Sequence, residues 1–393
     1  MKLVLTIVAA TLSLMAGASQ AQQQGVTKDE ILVGSIQDLS GPIAAFGKAV
    51  RQGMLLRVEE INEQGGVHGR KLKLIVEDDG YDPKKAVLAA QKLVNQDKVF
   101  IVAAHTGTAQ NNASMPVQFE KNIINFLPVT AAREMYEPLN RLKYSFAVTY
   151  FDQMRTFVPR VVKEKGAKKV CAIYQDDEFG LEVLRGTEAG LKTMNMELVE
   201  KTSFKRGSTD FSSQVAKMKG SGCDMVVLGT IIRETIGTIG EARKTGFNPV
   251  FLGSSASYTE LIHKLGGKAM DGLYATMGAQ VPYLDEASQP LRFWATKYKT
   301  RFNEDPTVFS AYGYLIIDAF IKGAAKAGTN LSTDSFIKAM DTITIPPDIF
   351  GSAESSFTAT KRLGSDASRL SQIQDGKWKV VGPYITDTEQ PKK

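Results

Sequence analysis

ILVGSI at 31–36 is a short run of β-formers, and the residues after it place Phe46, Val50, Met54, Val58 and Ile61 at helical spacing. That spacing lays one apolar face along a helix, which stops at Gly65-Gly66. KLKLIVED (71–78) begins in alternation and turns apolar, as a buried strand does. PKKAVLAAQKLVNQD (83–97) opens on proline at a first-turn position, where a missing N–H costs nothing. VFIVAA (99–104) predicts a third strand, and IINFLPV (123–129) a fourth after another helical stretch. Strand and helix in turn predict a parallel sheet covered on both faces.

The pattern restarts after residue 145. KKVCAIYQ, MELVEKTSF, CDMVVLG and PVFLGSS predict strands, with FGLEVLRGTEAGLKTM, FSSQVAKMKGSG and TIGTIGEARKTGF as the helices between them. The first unit is too short to hold all its helices before residue 145. Segments 289–327 and 332–342 are strongly helical and complete it, so the chain crosses between the units more than once.

The stretch 62–86, NEQGGVHGRKLKLIVEDDGYDPKKA, concentrates glycine and acid. A dinucleotide loop needs its glycines after a strand and before a helix, and here the order is reversed. Gly-Lys-Ser/Thr is absent, and the acids lack the alternating spacing of a calcium loop. Gly65 and Gly66 read as a helix stop, His68 as a turn residue, and Glu77, Asp78 and Asp79 as solvated or helix-capping.

Composition narrows the picture. A formal charge of +6 on 393 residues, with no long block of one sign, gives nucleic-acid binding little support. Residues 1–21 have a basic start, an apolar run and small residues before a cut after Ala21, the pattern of a cleaved secretory signal peptide. The expected destination is the periplasm. Cys171 and Cys223 lie in or beside predicted strands, and the strict geometry of a disulfide favours two buried free thiols over a bridge. His68, His105 and His263 show no ligand spacing, so neither a metal nor a cofactor is expected. The acidic run 176–178 reads as a polar loop at a strand end. With no nucleophile elbow and no zinc motif, the chain is not expected to be an enzyme.

The long run SGP…INEQGGVHGRKLKLIVEDDGYDPKKA, with YQDDEFG (174–180), VLGT (227–230), PVFLGSS (249–255) and SAYGY (310–314), resembles the periplasmic branched-chain amino-acid binding proteins, substrate-binding subunits of ABC importers. The resemblance covers essentially the whole mature chain. It implies an α/β fold of two Rossmann-like lobes with parallel sheets joined by a three-crossover hinge. The expected lobes are 25–146 plus 273–349 and 147–272 plus 350–386. It also implies a ligand in the cleft between lobes, hinge closure, and delivery to a membrane permease by a monomer.

In open α/β sheets, ligands sit beyond the carboxyl ends of the strands. Thr106, Gly107 and Thr108 precede a helix and offer small donors for a carboxylate. The resemblance assigns the α-carboxylate to this loop and to Thr130, Ala131 and Ala132. Ser255, followed by Ala256, stands where amino-acid binders carry the acid that receives the ammonium. Ile231 or Ile232 stands in place of a tyrosine, and Tyr150 and Phe151 in place of smaller residues. Phe46, Phe179, Tyr258 and Tyr312 add aromatic surface, Met277 joins the candidate contacts, and Arg133 and Arg233 are candidate anion anchors. An ammonium buried without an acidic partner is costly. The expected ligand is therefore a small carboxylate, aromatic or short aliphatic. A branched-chain amino acid is the alternative, and a sensory receptor subunit or a hydrolase the alternatives of another class.

Overall fold

In the computed structural model, which describes residues 23–386, the first β-rich run is β1 (Glu30–Gln37). The signal-peptide prediction lies outside those residues. After β1 come α1 (Ala44–Glu63), β2 (Lys71–Asp78), α2 (Pro83–Gln91), β3 (Ile101–Ala103), α3 (Thr108–Glu120), β4 (Ile124–Phe126) and β5 (Lys143–Tyr144). The five strands are parallel, in the order β2-β1-β3-β4-β5. Alternation along β1 feeds both faces of the sheet. Ile31 and Val33 join the core beneath α1, while Ile36 and the partly buried Leu32 pack with Ala89, Ala90 and Leu93 on the opposite side.

The second unit runs through α4 (Tyr150–Lys165), β6 (Val170–Gln175), α5 (Glu178–Lys192), β7 (Glu200–Phe204), α6 (Ser212–Gly220), β8 (Met225–Gly229), α7 (Arg233–Lys244), β9 (Val250–Gly253), α8 (Glu260–Gly266) and β10 (Tyr274–Met277). Its parallel strands stand in the order β7-β6-β8-β9-β10, the same winding as the first sheet. The reversal point falls between β1 and β3 in one lobe and between β6 and β8 in the other. β10 pairs β9, so residues 274–277 belong to the second sheet, whereas the expected boundary at 272/273 puts them in the first lobe.

The chain then returns to the first lobe as α9 (Gln289–Phe302), α10 (Val308–Ala327) and α11 (Thr333–Met340). α10 lies along α1. Gly53 and Gly313 let the two backbones meet, because a Cβ on Gly53 would stand 1.9 Å from the Ser310 carbonyl oxygen and one on Gly313 2.1 Å from that of Val50. After a ribbon of β11 (Thr344–Ile345) and β12 (Ser355–Ser356) come β13 (Ala367–Gln374), β14 (Lys377–Val380) and the short β15 (Ile385–Thr386), which pairs with β13. β13 and β14 extend the second sheet, with β13 antiparallel to β10, so that sheet is not purely parallel. The chain passes between the lobes three times: after β5, after β10 and before β13.

Cys171 and Cys223 form a disulfide, with Cα atoms 5.9 Å apart, which corrects the expectation of free thiols. Cys171 is the second residue of β6 and Cys223 sits two residues before β8. These strands are direct neighbours, so the side chains meet. Asp79 is also not solvated. It is fully buried, with Oδ2 3.6 Å from Nε2 of the equally buried His105.

Candidate ligand-binding site

The carboxyl ends of both sheets face each other across a cavity that, with its mouth, encloses about 1420 Å³. Its first wall is the β3–α3 loop. Gly107 holds φ at 100°, and the helix that follows has no side-chain cap, so the first N–H groups of α3 are left for a guest. A Cβ on Gly107 would meet Gln110 Oε1 at 2.3 Å. Thr106 Oγ1 donates to Gln37 Oε1 at 2.6 Å, and Gln37 Nε2 donates to the Ala104 carbonyl at 2.6 Å, which ties the loop to β1. The Thr108 and Thr130 hydroxyls lie 2.6 Å apart across two loops. Beneath them Asn111 Nδ2 donates to the carbonyls of His105 and Gly107. Asp38 accepts the N–H groups of Gly41 and Ile43 and shapes the β1–α1 loop, while burial raises its carboxyl above the usual range.

The second wall is organised by Gln153, a residue that sequence reasoning missed because it carries no motif. It is 1% exposed. Its Nε2 donates to the Val148 carbonyl at 2.7 Å and to Ser255 Oγ at 2.9 Å. Its Oε1 accepts from Ser255 N at 2.9 Å and Thr276 Oγ1 at 2.6 Å. The amide is saturated by protein, so this wall offers the guest the Ser255 hydroxyl and little other polarity. The aromatic surface comes from both lobes. Phe46 stacks on Phe309 with centroids 3.6 Å apart, and Tyr150 meets Phe179 edge-on at 5.0 Å.

Phe46, Thr106, Gly107, Thr108, Thr130, Ala131, Tyr150, Phe179, Ile231, Ser255, Ala256 and Met277 line the cavity, as does Tyr312. Ala132, Phe151 and Tyr258 do not. Ala132 packs with Met115 and Met135, and the Tyr258 ring lies 5.0 Å from that of Trp378. Neither arginine anchor reaches it. Arg133 pairs with Glu182 at 2.7 Å and covers the Phe151 ring at 4.0 Å, while Arg233 is exposed at the start of α7. Among the described lining residues the one cation is Lys322, which pairs with Asp318 at 2.7 Å. Asp348 also lines the cavity, and burial holds its carboxyl above the usual range.

The lobes are held together around this space. Tyr150 N donates to the Ala131 carbonyl at 2.6 Å. Arg206 of the second lobe lies 5.1 Å over the ring of Tyr81 of the first and pairs with Asp177 at 2.7 Å. Asp177 also caps α5, while Asp176 and Glu178 on either side of it are exposed.

Residues 30–377 match the family described as periplasmic binding protein. The chain is 26% identical to the Leu/Ile/Val-binding protein of Escherichia coli over 78% of this chain and 81% of the relative. The fold is similar to that of a fatty acid ABC transporter substrate-binding protein from Thermomonospora curvata, with TM-score 0.84 and 22% identity over 93% of this chain and 94% of that one. It is also similar to a branched-chain amino acid ABC transporter protein from Thermus thermophilus with bound valine, with TM-score 0.82 and 17% identity over 91% and 97%.

Proposed function

Because the chain belongs to the periplasmic binding protein family, we propose that it is the solute-binding component of an ABC importer. It captures a small molecule with a carboxylate and an apolar body, closes its lobes over it, and hands it unchanged to a permease. The observation that carries this reading is the uncapped start of α3. Free N–H groups, the positive end of the helix dipole and the Thr108 and Thr130 hydroxyls converge on one cavity with an aromatic wall. Closure is driven by contacts that exist only when the lobes meet around the guest.

What stands beside the carboxylate separates two readings. The names of relatives such as the Leu/Ile/Val-binding protein favour a branched-chain amino acid over an aromatic or short aliphatic acid. The chemistry of the second wall favours a guest without an amine. Gln153 is spent on protein groups, Ser255 is neutral, and Asp318 is held by Arg57 and Lys322. A matched pair decides between them. Calorimetry with leucine and with 4-methylpentanoate, which is leucine without its amine, compares the two directly. Tighter binding of 4-methylpentanoate supports the amine-free guest, tighter binding of leucine supports the amino acid, and heat from neither removes both of these six-carbon guests.

A further inference from the structure

The cavity does not end at the cleft. One face of α10 supplies Phe309, Tyr312, Ile316, Ala319 and Lys322 to its lining, at intervals of three or four residues. At 1.5 Å per residue that stripe extends for about 20 Å, well over twice the length of a leucine. The anchor loop stands at one end, where Tyr81 packs against Gly107. Midway, Phe146 lies 5.5 Å from Tyr312. At the hinge end Phe357, 5.3 Å from Tyr144, and Ile345 close the apolar wall, and the polar groups of Lys322, Asp348 and Ser352 follow. An amino acid held at the α3 end would not reach the hinge-end residues, and the apolar walls between favour an apolar occupant over water.

We propose that the cleft is the mouth of a channel along α10, and that the guest is a carboxylate bearing an extended aliphatic chain, longer than an amino-acid side chain. This rests on the carboxylate reading above. The head sits at the α3 terminus, and the chain runs over the touching rings of Phe146 and Tyr312 toward the hinge.

The test is calorimetry of the purified protein with straight-chain acids from butanoate to decanoate, each below its micelle concentration, with leucine alongside. Affinity is expected to rise about threefold to fourfold per added methylene through at least octanoate. Ala319→Leu and Ala353→Leu, which add bulk at two lining positions of the far section, are expected to move the preferred length down by several carbons. Melting curves of both variants confirm that they fold. An optimum at butanoate or leucine, or a length profile that neither variant moves, overturns the channel and leaves the carboxylate reading standing. If no acid of any length binds, both fall.

Discussion

Arg133 of the first lobe holds Glu182 of the second, with 2.7 Å between Nη2 and Oε1, and Glu182 is 1% exposed while Arg133 is 31% exposed. The pair bridges two lobes that opening would separate, and the Arg133 guanidinium also covers the Phe151 ring. It ties the two lobes to each other, and Arg133 is not among the residues that line the cavity.

Arg133→Ala is therefore expected to weaken guest binding mainly through faster release. The loss is about tenfold, since half-exposed ion pairs are worth less than buried ones. Stopped-flow dissociation with wild type and variant measures it. An unchanged release rate would show that the pair does not contribute to closure.

Thr130→Val keeps the shape of the anchor loop and removes a hydroxyl 2.6 Å from that of Thr108. Affinity for a carboxylate guest should fall about tenfold to a hundredfold, the value of a hydrogen bond to a charged group. Calorimetry at one pH and salt concentration checks this, with the melting temperature of the empty protein as the control for folding.

Reduction of Cys171–Cys223 should destabilise the second lobe. The bridge spans 52 residues, and the chain-entropy relation gives about 4 kcal/mol for a loop of that size. Calorimetric scans with and without reductant, and of Cys171→Ser, should show a lower transition for that lobe. Superimposable scans would contradict the assignment.

Glu260 caps the start of α10 from across the lobe boundary by accepting the Val308 N–H, and burial pushes its carboxyl up to about 7. The folded protein then binds more protons than the unfolded chain between the ordinary glutamate range and pH 7. Stability is full below that range and declines as pH rises through 7, by about 3 kcal/mol in order of magnitude. His263, pushed down to about 4 by burial, works in the opposite direction as pH falls from 6.5. Subtracting the stability of Glu260→Gln from that of wild type at pH 5 and pH 8 cancels the histidine and isolates the glutamate. A flat difference would refute the assignment.

The layered α/β plan was legible because buried parallel strands are written as apolar runs such as VFIVAA and CDMVVLG. α1 was legible from the five-residue apolar face that begins at Phe46. β13 was not, since ASRLSQIQ buries Ser368 and Ser371 along with Leu370 and Ile373 and carries no apolar run. The disulfide was hidden because strand order, not local sequence, brings β6 beside β8. Of the site, the glycine and threonine loops could be read, and most of the residues named from them line the cavity. Arg133 and Arg233 could not be placed, because an arginine near a loop in sequence gives no sign of the acid that already holds it. Gln153 was invisible for a similar reason: its four bonds reach Val148, Ser255 and Thr276, two of them more than 100 residues away.

The close approach of α1 and α10 at Gly53 and Gly313 has one more consequence. Backbone touches backbone there, so the floor of the chamber has no slack and the spacing of α1 and α10 cannot widen to suit a bulkier occupant. Any change of diet in a descendant of this protein must be carved from the side chains that face inward, on a frame whose gauge is already set.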